Sequence, residues 1–134
     1  MQDIELALII CSEGADREKI ATSARKCGLA PICCSNLKEA RSLLPQDVFR
    51  VVFCKDILAD GDFRGALRVV KHLYPSTPVV VLSHIAGWDS YLKALGAGAF
   101  DYILCPPSPV EAESIIWTAL ADTIGAERAS HAAA

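Results

Sequence analysis

The sequence lacks the features that mark membrane proteins, secreted proteins and nucleic-acid-binding proteins. Its longest apolar runs, such as LALIIC and PVVVL, are far shorter than the roughly 20 residues that a membrane-spanning helix needs. The start MQDIE has no basic residue of the kind that begins a signal peptide. No run of lysine and arginine is long enough to follow a phosphate backbone, and the net charge is only -3. We therefore expect a cytoplasmic protein that contacts neither membranes nor nucleic acids directly.

Metal-binding spacings are also missing. The six cysteines contain no CxxC pair, and the three histidines show no ligand spacing with them. His84 follows Ser83 at the end of an apolar run, where a loop histidine without special function is the common case. We expect reduced cysteines that fill the core, no metal site and no cofactor. The cysteines are Cys11, Cys27, Cys33, Cys34, Cys54 and Cys105.

Short β-branched runs alternate with longer amphipathic segments along the whole chain. The pattern predicts strands at 4–11, 29–35, 48–55, 77–83 and 99–105, and helices at 15–28, 37–44, 63–74, 88–98 and 110–129. Pro31 places the second strand at a sheet edge, and Asn36 caps the second helix. Parallel strands need crossover helices, so the fold class is α/β, a doubly wound sheet of five parallel strands with five helices. We predict one domain over 1–134, with its core at 4–124 and a tail at 125–134.

Four motifs carry a family resemblance. The segments LIICSE, VVFCKDILADGD, TPVVVLS and LGAGAFDYILCPPSP, with their spacing, resemble the receiver domain of bacterial two-component response regulators. The resemblance covers residues 4 to 124 and is most specific in LGAGAFDYILCPPSP. It implies a flavodoxin-like fold with strand order 2-1-3-4-5. It also implies a pocket at the carboxyl ends of strands one, three, four and five.

In that family, an aspartate ending strand three accepts a phosphoryl group from a histidine kinase, beside two acids that hold Mg²⁺. A hydroxyl ending strand four and a lysine ending strand five contact the phosphoryl oxygens. The resemblance places the acidic pair on Cys11 and Ser12, the acceptor on Lys55, the hydroxyl on Ser83 and the lysine on Cys105. The acids, the acceptor and the lysine are therefore all replaced.

Two further family positions are kept. The switch aromatic falls on Tyr102, and the proline that follows the lysine position falls on Pro106, whose preceding peptide is cis in the family. Lysine can form neither an acyl phosphate nor a Mg²⁺ ligand, and a thiol with a hydroxyl replaces two carboxylates poorly. We therefore expect a non-enzymatic, pseudo-receiver type of signalling module without Mg²⁺. Whether a histidine kinase acts on it stays open.

The acids beside Lys55 leave an alternative. Asp56 could be the acceptor of a functional receiver, although a shift of one residue would turn it toward the other side of the strand. Glu13, Asp60 and Asp62, together with Asp56, could hold a weak cation or cap the next helix. Lys55 itself could pair with Glu13 or Asp56, or extend its ammonium to solvent.

Two thiols in the expected pocket suggest another class of function. Cys11 and Cys105 end strands that border it, and Cys54 precedes Lys55, whose charge would favour a thiolate. A redox or soft-metal sensor is the resulting alternative, and space-filling neutral thiols are the simpler interpretation. A flavodoxin-like enzyme is disfavoured because CSEGADR has a single glycine and no phosphate-binding loop.

The last predicted helix offers an interface candidate. Its core stripe leaves Trp117 on the face that helix four, strand five and helix five form in the family. Tyr91, Leu95 and Tyr102 could extend the same patch, although Trp117 could instead fold over the helix edge. We expect a protein partner, an output domain or a second copy to bind there. The stripe consists of Ala112, Ile115, Ile116, Ala119 and Leu120.

Overall fold

The computed structural model describes the backbone of residues 4–133 and the side chains of residues 4–122. Its strands are β1 (Leu6–Ile10), β2 (Ala30–Cys34), β3 (Phe49–Lys55), β4 (Ile57–Leu58), β5 (Gly61–Asp62), β6 (Val79–Ser83) and β7 (Asp101–Leu104). Its helices are α1 (Gly14–Lys26), α2 (Leu37–Leu43), α3 (Phe63–Leu73), α4 (Trp88–Ala97) and α5 (Pro109–Ala133). None of the helices in the described part of the chain is long and apolar enough to cross a membrane.

The central sheet has the order β2-β1-β3-β6-β7, and every neighbouring pair in it is parallel. β6 and β7 are the fourth and fifth strands of this sheet, so the predicted flavodoxin-like order 2-1-3-4-5 is confirmed. The order reverses between β1 and β3. In such sheets a functional crevice forms beyond the carboxyl ends of the strands at that reversal.

Both faces of the sheet are covered, which explains why its strands are apolar almost throughout. Val51 and Phe53 of β3 face the core layer formed with α1 and α5. Val52 and Cys54 face the layer formed with α2 and α3. All four residues are fully buried. The alternation of side chains along β3 therefore serves two cores, and it carries on to the strand's last residue, Lys55.

Local signals in the sequence set the element ends. The Asn36 side chain accepts a hydrogen bond from the Glu39 backbone N–H at 2.9 Å and so caps α2, as predicted. β2, which contains Pro31, is an edge strand, also as predicted. Proline has no N–H to donate, so an edge position costs the sheet no hydrogen bond.

Two features differ from the sequence prediction. The stretch after β3 contains the antiparallel hairpin of β4 and β5, which was expected to be a loop. Strands of two residues are too short to show a hydrophobic period, so the pattern could not reveal them. The last helix continues to Ala133, through most of the stretch 125–134 that was predicted to be a tail. The side chains of that stretch lie outside the described residues.

Candidate functional site

The positions singled out by the resemblance meet at one end of the sheet. Cys11 follows β1, Lys55 ends β3, Ser83 ends β6 and Cys105 follows β7. The Cys105 N–H donates to the Ser83 carbonyl at 2.8 Å, which holds the last two strand ends side by side. The parallel arrangement therefore assembles the expected pocket from residues that are far apart in the chain.

Lys55 forms an ion pair with Glu13, the N-cap residue of α1. The Lys55 side chain is 13% exposed, and that of Glu13 is 46% exposed. The hydrogen bond from Lys55 is the main cause that lowers the pKa of Glu13 to about 2. Burial would lower the pKa of Lys55, but its contacts with Glu13 and the charge of Asp56 raise it overall. The ammonium is therefore charged at neutral pH and held inside the pocket, as one of the predictions proposed.

Asp56 also contacts the pocket. Its Oδ2 accepts a hydrogen bond from the Ser83 hydroxyl at 2.7 Å, and its Oδ1 accepts one from the Ile57 N–H at 2.9 Å. The strand period predicted that this side chain would turn toward the other side of the strand, and Asp56 as an acceptor was the alternative. Because β3 ends at Lys55, the alternation of the strand no longer fixes the direction of the next residue. Both carboxylate oxygens of Asp56 consequently have hydrogen-bond donors of the protein's own.

A chain of hydrogen bonds leads from Asp56 to the switch aromatic position. The buried Ser83 hydroxyl, which donates to Asp56, accepts from the Ile85 N–H at 3.0 Å. The Ile85 carbonyl in turn accepts from the Tyr102 hydroxyl. The tip of β3 is therefore connected to the side chain of Tyr102 through Ser83 and the backbone of Ile85.

The two pocket thiols are buried and favour their neutral form. Burial is the main cause that raises the pKa of Cys11, and it raises the pKa of Cys105 to about 12. The positive charge of Lys55 lowers the pKa of both thiols, but by less than burial raises it. The Cys11 thiol lies 3.7 Å from the Glu13 carbonyl, a weak hydrogen bond. The peptide between Cys105 and Pro106 is cis, in agreement with the resemblance.

His84, which was expected to be an ordinary loop histidine, contacts Asp16, a residue of the pocket that was not predicted from the sequence. His84 Nε2 lies 2.6 Å from Asp16 Oδ2 and 3.0 Å from Glu13 Oε2. Its hydrogen bond with Asp16 is the main cause that raises the pKa of His84. Asp16 is only 4% exposed although it is charged, and it lies in the first turn of α1. The sequence offered one indication of this contact, an acid on the buried side of the first turn of α1. The pairing itself could not be predicted, because 68 residues separate Asp16 from His84.

The remaining acids after β3 are structural. Asp62 caps α3 by accepting from the Arg64 N–H at 2.9 Å, as the helix-capping interpretation predicted. Asp60 instead accepts from the backbone of α2, at 2.9 Å from the Leu37 N–H and 3.0 Å from the Lys38 N–H. These hydrogen bonds lower the pKa of Asp60. Both oxygens of Asp60 and one of Asp62 thus accept from helix N-termini, and the other Asp62 oxygen lies 3.5 Å from the Arg64 guanidinium.

An aromatic groove lies beside the pocket, between α4, β7 and α5. Trp88 and Tyr91 stack edge to face with ring centroids 5.6 Å apart, and Tyr91 and Tyr102 do so at 6.3 Å. The groove has a volume of about 450 Å³. It is lined by Ala86, Gly87, Trp88, Tyr91, Asp101, Tyr102, Leu104, Glu111 and Ile115.

Only some of the predicted interface residues line this groove. Tyr91 lines it, whereas Leu95 and Trp117 are not among its lining residues. Trp117 is exposed, as predicted, at 56%, but Trp88 is more exposed, at 74%, and lies in the groove itself. The groove therefore contains an exposed tryptophan, Trp88, that was not among the interface residues predicted from the sequence.

Comparison with known proteins identifies the family, although no family model matches the chain. The response regulator PilR of Pseudomonas aeruginosa is 30% identical over 114 residues, which are 85% of this chain and 26% of PilR. The transcriptional regulatory protein ZraR of Salmonella typhimurium is 31% identical over 72% of this chain and 22% of its own length. This chain belongs to the receiver domains of response regulators.

The fold of this receiver domain is shared with solved structures. A CheY-like receiver domain protein from Methanospirillum hungatei superposes with a TM-score of 0.80 at 18% identity, over 92% of this chain and 98% of that one. The present chain spans about a quarter of the length of the curated relatives that it matches. What those longer proteins do as a whole therefore concerns more sequence than this domain contains.

Proposed function

We propose that this receiver domain is a pseudo-receiver, which signals by protein contact and takes no phosphoryl group at the tip of β3. The observation that carries the proposal is the Lys55 ammonium at the acceptor position, paired with Glu13 and mostly buried. An ammonium group cannot become an acyl phosphate. The Lys55 ammonium gives the pocket a permanent positive charge, whereas phosphorylation changes the charge of the pocket reversibly in other receivers.

The donor set of the pocket does not fit the Mg²⁺ that the family uses. Mg²⁺ requires hard oxygen ligands in octahedral geometry. Here the positions of the acidic pair hold the Cys11 thiol and the Ser12 hydroxyl, and the Glu13 carboxylate is already bound to Lys55. A divalent cation at the tip of β3 would also meet the repulsion of the Lys55 charge. We infer a domain without Mg²⁺ and without enzymatic activity.

The hydrogen bonds on the other side of the pocket support a domain held in one state. Ser83 joins Asp56 to the N–H of Ile85, and Tyr102 donates to the carbonyl of the same residue. Tyr102 then packs against Tyr91 in the groove. The pocket thus fixes the aromatic surface from within, and no phosphoryl oxygen is needed to complete the network.

The exposed groove is the contact surface of this proposal. Trp88 and Leu104 expose 74% and 41% of their area there. Exposed tryptophan and tyrosine in a groove are typical of protein interfaces. The occupant that we propose is a second copy of this domain, because PilR and ZraR are regulators whose remaining sequence would be brought together by a dimer. Such a dimer would pass the signal to an output domain in the cytoplasm.

A second candidate, a functional receiver with Asp56 as the acceptor, has one observation in its favour. Asp56 Oδ2 lies 2.7 Å from the hydroxyl of Ser83, the residue type that contacts the phosphoryl group in the family. In this interpretation a histidine kinase would phosphorylate Asp56. Against it stands Lys55, which is the last residue of β3 and points into the pocket, where it pairs with Glu13.

Treatment with acetyl phosphate and Mg²⁺, followed by intact mass measurement, separates the two candidates. We expect no added phosphoryl group on the unmodified protein. Beryllofluoride with Mg²⁺ should also leave the fluorescence of Trp88 unchanged. Phosphorylation that disappears in Asp56→Asn would show that Asp56 is the acceptor and would contradict the proposal.

The redox-sensor alternative is less compatible with the pocket. Reactive cysteines are exposed thiolates, whereas Cys11 and Cys105 are buried and have raised pKa values. We expect brief alkylation of the folded protein to label Cys33, the exposed cysteine, well before Cys11 or Cys105. Fast labelling of either pocket thiol, located by peptide mass spectrometry, would favour the sensor.

A further inference from the structure

We propose that Asp16, His84 and Cys105 bind a divalent transition-metal cation of the zinc type. One ligand atom from each residue lies within 4.8 Å of the other two. The three residues come from the first turn of α1, the loop after β6 and the end of β7. This site goes beyond the proposed function and does not depend on it, because the metal would bind whether or not Asp56 can be phosphorylated.

The burial of the three residues suits a binding site with one entrance. Asp16 and Cys105 are 4% and 5% exposed, so packing holds two of the ligands in place. The His84 side chain is 44% exposed at the rim, where a cation could enter. His84 Nε2 already points at Asp16 Oδ2 from 2.6 Å. A metal would occupy the space between these two atoms and the sulfur.

Cys105 differs from the other buried cysteines. The thiols of Cys11, Cys27, Cys34 and Cys54 each contact a backbone carbonyl. Among the residues whose side chains are described, none forms a hydrogen bond with the Cys105 thiol, although it is buried beside a carboxylate and an imidazole. A buried sulfur that has no partner and faces two further ligand atoms is a second, independent indication of a ligand site.

The donor set selects the class of metal. Sulfur and imidazole nitrogen suit zinc and similar cations, whereas Mg²⁺ and Ca²⁺ need oxygen ligands throughout. With ordinary zinc bond lengths, tetrahedral ligand atoms lie about 3.3 to 3.8 Å apart. The longest separations here would therefore shorten by about 1 Å, and the contact between His84 and Asp16 would widen by a similar amount.

The charges also balance. Binding would release the Cys105 thiol proton to solvent as the sulfur-metal bond forms, and His84 would bind through an unprotonated Nε2 as the neutral imidazole, with its remaining proton on Nδ1. Two negative ligands, the thiolate and Asp16, would then surround a doubly charged cation. Lys55 is the nearby positive charge, and its ion pair with Glu13 offsets it. Glu13 stays paired with Lys55, so water would take the fourth position of a tetrahedral site. The process involves no change in oxidation state.

Titration of the purified, reduced full chain with Co²⁺ tests the site, since Co²⁺ reports on its ligands through its absorption spectrum. We expect one Co²⁺ per chain, a thiolate-to-cobalt charge-transfer band in the near ultraviolet, and loss of that band when Zn²⁺ is added. Cys105→Ser should abolish the band. Cys11→Ser is the matched control, because it removes the other pocket thiol, and it should leave the band intact.

His84→Asn provides a variant that does not disturb the core, because His84 is exposed. It should weaken Co²⁺ binding at least about tenfold, the effect of losing even an outer contact of a metal site. No charge-transfer band with the unmodified protein, or a band that persists in Cys105→Ser and vanishes in Cys11→Ser, would overturn the assignment. Neither result depends on phosphorylation, so this proposal and the proposed function can fail separately.

Discussion

The polar side chains of the pocket at the strand ends are paired with one another, whereas an aromatic side chain of the groove beside it is largely exposed. In the pocket, Lys55 is paired with Glu13, and Asp56 with Ser83. In the groove, Trp88 leaves three quarters of its area to solvent. A receiver that exchanges phosphoryl groups needs an open pocket, whereas this one has polar groups that satisfy one another. The difference favours the groove as the surface that would bind another protein.

The largest expected effect concerns the groove. Trp88→Ala should weaken self-association at least about thirtyfold, about 2 kcal/mol, the usual loss for a tryptophan at the centre of an interface. The stability of the monomer should change by less than about 0.5 kcal/mol, because the side chain is exposed. Sedimentation equilibrium measures the first effect and thermal unfolding the second.

Trp117→Ala is the matched control, since Trp117 is also exposed but is not a lining residue of the groove. Its dimer should resemble that of the unmodified protein. A protein that stays monomeric at the highest concentrations studied would refute the proposed dimer, and an equal loss in both variants would place the interface elsewhere.

The next effect concerns the buried hydroxyl of the pocket. Ser83→Ala removes the donor to Asp56 Oδ2 and the acceptor for the Ile85 N–H. Leaving such groups without partners should destabilise the fold by about 2 kcal/mol in urea unfolding. Ser76→Ala, at an exposed serine, should change stability by less than about 0.5 kcal/mol. Equal effects of the two substitutions would show that the network contributes nothing.

A smaller effect is expected from the ion pair. Lys55→Met keeps the buried stem but removes the charge that Glu13 contacts. Because Glu13 is half exposed, solvent screens the pair and the loss should be about 1 kcal/mol. Lys19→Met, on the exposed side of α1, should have almost no effect on unfolding. An increase in stability after Lys55→Met would show that burying the ammonium costs more free energy than its ion pair with Glu13 contributes.

The smallest expected effect concerns Asp60, one of the loop acids outside the pocket. The pKa of Asp60 is lowered by its hydrogen bonds to α2, so its contribution exists above the unfolded pKa, near pH 4. That contribution is lost as the pH falls through the lower folded pKa. Asp60→Asn should lower Tm by a few degrees at neutral pH, and the difference should shrink in acid. A difference that does not vary with pH would mean that the charge of Asp60 is irrelevant.

The sequence was sufficient for features that depend on neighbours along the chain. The apolar strands, the Asn36 cap, the edge position of Pro31 and the exposure of Trp117 all follow from local pattern, and the structure agrees with each. Period and propensity act within a few residues. Once the topology was inferred, the strand ends that form the pocket followed from it as well.

Features that join distant segments could not be predicted in the same way. Asp60 caps a helix that precedes it by 22 or 23 residues, and Asp56 turns toward Ser83 only because β3 has ended. The contact of His84 with Asp16 depends on how a loop and a helix meet. Such contacts arise from three-dimensional packing, and no spacing in the sequence encodes them.

The backbone of Ile85 has a consequence for how this domain can move. Its N–H donates to the Ser83 hydroxyl oxygen, and its carbonyl accepts from the Tyr102 hydroxyl. These two groups belong to successive peptide planes, which only the φ and ψ angles of Ile85 separate. Keeping both hydrogen bonds therefore fixes the backbone conformation of one loop residue, and a change in either angle moves the partner of the buried serine relative to the partner of the groove tyrosine.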